Sequence, residues 1–249
     1  MNRDQILKLP SMPAASPSYP VPPFRFINRE YMIVMYESDP EAIRAAVPEP
    51  LIPDPSNQVF YEWIRMPDSS GFGDYTESGV VIPCSFEGRP ASFVAQMYLD
   101  DDPPISAGRE IWGFPKKYAQ PKLELCKDTL TGTLDYAGQR VATGTMTYKH
   151  EVFSRHPAKT KAALGKLQCM LKVIPDATGL KPAIAQLVGL EITEITVKGS
   201  WSGPARIDLV PHVNAPVADL PVRKVVGGRH FLADLTLPGG RVLVDYMKG

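Results

Sequence analysis

Two adjacent lysines follow a run of bulky and chain-bending residues in the segment Gly108-Arg-Glu-Ile-Trp-Gly-Phe-Pro-Lys-Lys117. The ring of Pro115 fixes the approach of the backbone, and Gly113 permits a bend, so one lysine can point inward beside Trp112 and Phe114. Most Lys-Lys pairs are solvated surface features. A buried lysine, by contrast, can act as a nucleophile toward a carbonyl carbon.

Such chemistry requires a neutral amine. An unperturbed lysine has a pKa near 10.4, so only about 0.04% of it is neutral at pH 7. Burial or a neighbouring cation lowers the pKa of a lysine. Adjacent residues on an extended chain point to opposite faces, so Lys117 is badly placed to crowd the amine of Lys116. We therefore predict that desolvation is the dominant cause for Lys116.

The composition is that of one globular domain spanning residues 1–249. Hydrophobic residues make up 44% of the 249 residues, and 27 basic residues balance 27 acidic residues. A net charge near zero argues against nucleic acid and against an anionic membrane surface as partners. Nowhere do 18 apolar residues follow one another, so the sequence predicts a soluble, cytoplasmic protein.

Cysteines and histidines give no metal or disulfide pattern. Cys84, Cys126 and Cys169 are odd in number and far apart, which predicts reduced thiols in the core. The closest histidines, His150 and His156, are six residues apart and would not share a helix face. We expect neither a metal nor an organic cofactor.

Residues 1–23 form a proline-rich arm, with six prolines among small and polar residues. Such a segment favours an extended chain. Two interpretations remain open, a loosely attached terminus or a strap across a neighbouring subunit.

Beyond the arm, short alternating runs rich in β-branched and aromatic residues predict strands. The turn Ala137-Gly138-Gln139 suits a hairpin. The pattern favours an α+β fold that is mainly antiparallel β, with a closed sheet and a few short flanking helices. The predicted strands are Tyr31–Tyr36, Val59–Met66, Val80–Phe86, Ser92–Leu99, Leu130–Tyr136, Val141–Tyr148, Gln168–Ile174, Leu190–Val197, Ala205–Val210, Phe231–Leu237 and Arg241–Tyr246.

Helices should be few. Asp39–Val47 has an N-cap aspartate, a proline at the first helical position and an apolar face. Weaker helical patterns cover Ile105–Trp112, His156–Leu164 and Lys181–Val188.

Several segments together resemble the acetoacetate decarboxylase family over essentially the whole chain. Gly108-Arg-Glu with Pro115-Lys-Lys resembles its active-site segment, and the other matching segments occur in the family's order. They are Phe26-Ile-Asn-Arg-Glu-Tyr31, Val47-Pro-Glu-Pro-Leu51, Tyr75-Thr-Glu-Ser-Gly79, Met97-Tyr-Leu-Asp100, Gly132-Thr-Leu-Asp-Tyr136, Tyr148-Lys-His150 and Trp201-Ser-Gly-Pro204.

The resemblance implies a cone-like closed β-barrel and a large homo-oligomer, a dodecamer. It places the Schiff-base lysine at Lys116, the pocket arginine at Arg29 and the pocket glutamate at Glu77. Taken alone, Arg29 could be a strand-edge residue paired with Glu30, and Glu77 a turn residue facing solvent.

Further pocket residues follow from the same comparison. Glu62 would be a second nearby acid, and Phe26 and Phe114 would line the substrate pocket. Met97 alternates with Phe93, Ala95 and Leu99, so core packing is its default role and pocket wall its second. We expect Lys117 to be a structural ion-pair partner.

The implied reaction is the decarboxylation of a small β-keto acid, acetoacetate, to acetone and carbon dioxide through an imine on Lys116. Glu77 would transfer a proton or orient the amine, and Arg29 would steer the substrate. Two alternatives stay open. One is a related Schiff-base aldolase or dehydratase acting on another keto acid, and the other is a non-catalytic barrel that binds a small ligand.

Overall fold

The strands of one large sheet come from both ends of the chain. In the computed structural model, the described residues are 1–152 and 157–248. The strands are β1 (Phe24–Glu37), β2 (Ile52–Pro53), β3 (Gln58–Ser69), β4 (Gly73–Phe86), β5 (Arg89–Leu99), β6 (Lys116–Tyr118), β7 (Gln120–Cys126), β8 (Thr129–Tyr136), β9 (Gln139–Thr147), β10 (Glu151–Val152), β11 (Leu167–Pro175), β12 (Pro182–Leu190), β13 (Thr193–Gly203), β14 (Ala205–Leu209), β15 (Lys224–Leu237) and β16 (Arg241–Asp245).

Twelve of these strands form the main sheet, in the order β10-β13-β15-β1-β3-β4-β5-β11-β12-β16, with β2 beside β4 and β6 beside β5. Most pairs are antiparallel, as predicted, whereas β5 pairs in parallel with both β6 and β11. A second sheet of four strands has the order β14-β9-β8-β7 and contains the predicted hairpin between β8 and β9.

The main sheet is buried on both faces. On β1, Met32, Val34 and Tyr36 pack into one core together with Leu134 and Val141 of the small sheet. We call this the sealed face. The intervening β1 residues, including Tyr31, Ile33 and Met35, pack into a second core on the opposite side. We call this the cavity face, because the cavity described below lies there.

The predicted closed barrel is not formed by the described residues. The main sheet follows an open path that ends at β10 and β16, and these two strands do not pair with each other. β16 has only five residues, so it offers no long ladder of backbone groups for closure.

Helices are few and short, as predicted: α1 (Arg3–Ile6), α2 (Pro40–Ala46), α3 (Asp102–Ala107), a π-helical turn (Gly108–Trp112), α4 (Pro157–Leu164) and a 3-10 turn (Val217–Asp219). Among the described helices, none is long and apolar enough to cross a membrane. The carboxylate of Asp39 does not cap α2 but accepts two hydrogen bonds from Arg223, at 2.8 and 2.7 Å. His156, the first residue of one predicted helix, lies outside the described residues.

Two predicted elements are wrong. Lys181–Val188 is not a helix, because Pro182 opens β12, which pairs with β11 and β16. Leu190–Val197 is not one strand, because the chain changes partners there: β12 ends at Leu190, and β13 then pairs with β15. Sheet neighbours, rather than local propensity, decide both segments.

The end of the proline-rich arm packs on its own chain. Tyr19 is buried, and its hydroxyl donates a hydrogen bond to Glu110. Pro20 lies against Gly71, where a Cβ atom would come within 2.4 Å of the proline ring. The arm is therefore attached at its C-terminal end.

Candidate active site

The π-helical turn determines where the chain leaves α3 and enters β6. It ends at Gly113, whose φ of 84° is a left-handed conformation that glycine adopts without strain. The backbone N–H groups of Gly113 and Phe114 both donate to the Gly108 carbonyl at 3.0 Å. Lys116 then pairs with Met97 of β5, and Arg109 donates to the Lys116 carbonyl at 3.1 Å. These contacts fix the backbone of Lys116.

The side chain of Lys116 points into the core, and only 7% of the residue is exposed. Its Nζ atom lies 3.1 Å from Oε2 of Glu77, and 5.4 and 5.9 Å from the ring centres of Phe114 and Tyr75. A Cβ atom at Gly108 would come within 2.5 Å of Cδ and 2.8 Å of Cε of Lys116. The missing side chain of Gly108 therefore makes room for the lysine.

Burial lowers the pKa of Lys116 below its ordinary value. Glu77 opposes this shift by its charge and its hydrogen bond, and the nearby cation that adds to the lowering is Arg29. Desolvation is the largest cause, as predicted from the sequence.

Glu77 lies at the centre of the cluster and is only 2% exposed. Besides Lys116, its carboxylate faces Arg29, with Nη2 at 3.8 Å from Oε1. The Arg29 guanidinium lies over the rings of Phe26 and Tyr31, at 5.1 and 4.9 Å from their centres. Glu77 thus lies between the Arg29 guanidinium and the Lys116 amine, and these contacts help to compensate the cost of burying its charge.

A β-bulge turns Arg29 into the cavity. Phe26 pairs with Leu235 and Arg29 with Ala233, so β1 contains one residue more than β15 over this stretch. Asn28, with a φ of 56°, lies in the bulge. Because of the extra residue, Phe26 and Arg29 share one face although their spacing is odd.

A second bulge changes the alternation of side chains that the sequence predicts around Met97. Val80 pairs with Gln96 and Val81 with Val94, so β5 contains an extra residue. Met97 therefore lies on the cavity face, whereas Phe93 packs into the core of the sealed face. Met97 is both a core residue and a cavity wall.

Glu62 also borders the cavity, on β3. Desolvation raises the pKa of its carboxyl to about 7; Arg29 opposes this shift and Glu77 adds to it. Near neutral pH, Glu62 is therefore divided between its acid and carboxylate forms, which suits a group that exchanges protons.

A cavity of about 310 Å³ contains this cluster. The structure brings together there Lys116, Glu77, Arg29, Glu62, Met97, Phe114 and Phe26, all of which the sequence nominated.

Lys117 lies elsewhere. It is exposed, and it donates a hydrogen bond to the Asn214 carbonyl and lies 5.2 Å from the ring centre of Tyr136. Within the part of the chain that the structure describes, these partners include no carboxylate, so the expected ion pair is not seen. Its separation from Lys116 follows from the alternation of side chains along β6.

Sequence reasoning missed several lining residues. Tyr75 precedes Glu77 by two positions on the same strand, so strand periodicity could have identified it. Arg229 and residues of α4 also line the cavity. They lie far from Lys116 and Glu77 along the chain, so no local sequence pattern indicated them.

A family model and curated relatives match nearly the whole chain. The family model described as "Acetoacetate decarboxylase (ADC)" matches residues 9–247. The chain is 53% identical over 238 residues to a curated acetoacetate decarboxylase of Ralstonia nicotianae, covering 95% of each chain.

Solved structures give the same result. A structure from a study of acetoacetate decarboxylase is 44% identical, covers 100% of both chains and superimposes with a TM-score of 0.95. The acetoacetate decarboxylase of Legionella pneumophila is 45% identical, with 97% of this chain and 96% of that one covered and a TM-score of 0.91. This chain belongs to the acetoacetate decarboxylase family.

Proposed function

We propose that this chain decarboxylates acetoacetate to acetone and carbon dioxide through a Schiff base on Lys116. One observation carries the assignment of the nucleophile: the amine is buried, its pKa is lowered by desolvation, and it lies 3.1 Å from a buried carboxylate. Names of relatives at about 53% identity support the reaction.

The reaction begins when neutral Lys116 attacks the ketone carbon and water is lost, which gives a protonated imine. The bond to the carboxyl carbon then breaks, its electrons move toward the imine nitrogen, and carbon dioxide leaves. The resulting enamine is protonated on carbon. Hydrolysis finally releases acetone and regenerates the amine.

The two acids have separate roles in this proposal. Glu77 contacts the Lys116 amine, so it orients the nucleophile and accepts protons during imine formation. Glu62, with a pKa of about 7, supplies the proton to the enamine.

Arg29 steers the substrate and holds Glu77. The substrate carboxylate loses its charge on the way to the transition state, so a tight ion pair with it would stabilise the ground state and slow the reaction. The position of Arg29, over two aromatic rings and 3.8 Å from Glu77, is consistent with a looser role.

Trapping with borohydride tests the nucleophile and the reaction together. The protein is incubated with acetoacetate, borohydride is added, and peptides are mapped by mass spectrometry while carbon dioxide is measured. A reduced isopropyl adduct on Lys116 with gas release is expected. An adduct without gas favours aldol or dehydration chemistry on another keto acid, and no adduct on Lys116 eliminates the mechanism.

We further propose a single domain over residues 1–249, with residues 1–23 as its arm, that assembles as a homo-oligomer, a dodecamer. Pairing of β1 with β15 supports one domain. Leu171, Val173 and Val242 are exposed near one edge of the main sheet and support self-association. Light scattering measures the subunit number.

A cytoplasmic location is also part of the proposal. Cys84, Cys126 and Cys169 are all free thiols, as expected in a reducing compartment, although Cys126 is exposed and not in the core as predicted. Cell fractionation tests this assignment.

A further inference from the structure

The proline-rich arm contacts the π-helical turn that precedes Lys116. Tyr19, near the end of the arm, is only 6% exposed, and its hydroxyl donates a hydrogen bond to the carboxylate of Glu110. Glu110 is the middle residue of the turn and lies 91 positions further along the chain. The contact is therefore a tertiary one, and it joins the arm to the segment that leads into the active site.

The Tyr19 hydroxyl is a lasting donor. Desolvation raises the pKa of Tyr19 above its ordinary value, and the hydrogen bond and the charge of Glu110 raise it further. The hydroxyl consequently keeps its proton throughout the neutral pH range. A hydrogen bond to a carboxylate is stronger than one between neutral groups, by roughly a factor of two.

The turn is also held from outside at two further residues. The Ile111 carbonyl accepts a hydrogen bond from Nζ of Lys172 at 3.2 Å, and the Trp112 indole N–H donates to the Pro238 carbonyl at 3.0 Å. Together with the hydrogen bond from the arm, these contacts bind three consecutive residues from three separate parts of the chain. A single contact would leave the turn free to pivot, whereas three contacts fix its orientation as well as its place.

Movement of the turn would move the lysine. Arg109 of the turn donates to the Lys116 carbonyl at 3.1 Å, and Gly108 lies against the lysine stem, where a Cβ atom would come within 2.5 Å of Cδ. The turn thus contacts Lys116 both at its backbone and at its side chain. A misplacement of about 1 Å in an active site can cost roughly a hundredfold in rate.

Attachment of the arm alone does not explain the tyrosine hydroxyl. Pro20 already packs against Gly71, and Phe24 pairs with Leu237 at the start of β1. The Phe24 ring centre also lies 5.8 Å from that of Trp112. The arm would therefore stay in place without the hydrogen bond, whose added effect is on the turn.

We propose that Tyr19 is a positioning residue for the decarboxylation. Its hydrogen bond to Glu110 holds the π-helical turn, and the turn holds the Lys116 amine beside Glu77. Tyr19 is not one of the described residues that line the cavity, so it acts through the turn rather than on the substrate. This inference rests on the proposed function and assigns a part in it to the arm.

Tyr19→Phe removes the hydroxyl and keeps the ring. We expect kcat for acetoacetate to fall by about 10- to 100-fold with KM nearly unchanged, because the amine is misplaced while the rest of the pocket is not altered. Steady-state release of carbon dioxide measures both constants. A kcat equal to that of the unmodified protein would overturn the inference.

The pH profile of Lys116 acylation is a readout that a merely structural role would not move. Desolvation is the largest cause of the lowered pKa of Lys116, so a loosened turn that admits water should raise this pKa and shift the profile to higher pH. An unchanged profile would contradict the inference. The titratable and charged groups of the site stay the same in this variant: Glu77, Tyr75, Arg29 and Glu62.

Tyr36→Phe is the matched control, since it also removes a hydrogen-bonded tyrosine hydroxyl, but on the sealed face. Tyr36 is fully buried and donates to the Leu220 carbonyl at 3.1 Å. Losing this buried hydrogen bond should lower the thermal midpoint and leave the acylation profile unchanged. The same shift of the profile in both variants would reduce the role of Tyr19 to general stability and overturn the inference.

Substitutions of Glu110 test the shared hydrogen bond. Glu110→Gln keeps an oxygen that can accept it, so most of the turnover should remain, whereas Glu110→Ala should lose as much as Tyr19→Phe. The double variant of Tyr19→Phe with Glu110→Ala should lose no more than the more damaged single variant, since both act through one contact. Losses that multiply in the double variant would show independent roles and overturn the inference.

Borohydride trapping separates this inference from the proposed function. An imine on Lys116 in the unmodified protein, together with normal kinetics and acylation in Tyr19→Phe, overturns the inference and leaves the proposed function intact. The absence of an imine on Lys116 in the unmodified protein removes the proposed function and the inference with it.

Discussion

The two faces of the main sheet are built from the same strands and serve different purposes. On the sealed face, Trp63 is fully buried between the sheets, and Gly132 and Gly144 approach its ring so closely that a Cβ atom would come within 2.3 and 2.4 Å. On the cavity face, Lys116 and Glu77 are also buried but border an open space. The sealed face should therefore control stability, and the cavity face reactivity.

Removing the nucleophile should produce the largest difference between the faces. Lys116→Ala is expected to lower kcat by at least about a thousandfold, because no other group forms the imine. Carbon dioxide release measures the loss. Lys117→Ala is the matched control, since the neighbouring lysine is exposed and points away. Similar losses in both variants would refute the assignment to Lys116.

Glu77→Gln separates the charge of the buried acid from its shape. Glu77 raises the pKa of Lys116, so removing its charge should lower that pKa further and shift amine acylation to lower pH. Turnover should nevertheless fall by about 100- to 10,000-fold, because proton transfer is lost. A pH profile of acylation, measured beside kcat, tests both effects. An unchanged profile would show that Glu77 does not influence the amine.

Gly108→Ala tests the space for the lysine. The new methyl group would meet Cδ and Cε of Lys116, and a displacement of about 1 Å can cost roughly a hundredfold in kcat. Gly239→Ala serves as control, because nothing lies within 4 Å of a Cβ atom there. Steady-state kinetics with normal circular dichroism would support the prediction; full activity in Gly108→Ala would contradict it.

Arg29→Gln should act mainly on substrate capture. We expect KM to rise by about tenfold while kcat changes little, since steering raises the association rate rather than stabilising the transition state. High salt screens this steering, so it should raise the KM of the unmodified protein and narrow the difference in KM between the two proteins. A loss confined to kcat would instead assign Arg29 to the chemical step.

A change on the sealed face should reverse the pattern. Gly132→Ala drives a methyl group into the Trp63 ring and is expected to cost about 1 to 3 kcal/mol of unfolding free energy. Denaturant unfolding measures this loss. The folded fraction should keep its kcat, because the substitution does not reach the cavity. A large fall in kcat without loss of stability would break the distinction between the faces.

The sequence predicted individual helices and strands better than it predicted which strands pair with one another. Helix α2 and the β8–β9 hairpin follow from local signals, the proline at the first helical position and the turn glycine. The helix predicted at Lys181–Val188 is wrong because strand pairing with β11 and β16 outweighs the helical pattern of this segment. The sequence placed Met97 on the same face as Phe93, which is wrong because strand alternation does not reveal the extra residue in the bulge. The open sheet edge depends on strand lengths that propensity does not define.

The candidate site shows the same limit. Residue types and the family resemblance nominated Lys116, Glu77 and Arg29, and the structure brings them together. Their meeting depends on register across β1, β3, β4, β5 and β6, which a linear pattern does not contain. The residues of α4 that line the cavity could not be predicted for the same reason, because they are close to the site in space but far from it along the chain.

The bulge at Asn28 makes the cavity sensitive to chain length. Downstream, the pairing of β1 with β3 fixes which side chains face the cavity, from Arg29 to Met35. Upstream, Phe24 and Phe26 face the same side only because one extra residue changes the odd–even phase. Deleting that residue would turn both phenylalanines away from the cavity face, whatever amino acids remained. At this point the strand encodes function in the number of its residues, so tolerance of substitution there does not imply tolerance of deletion.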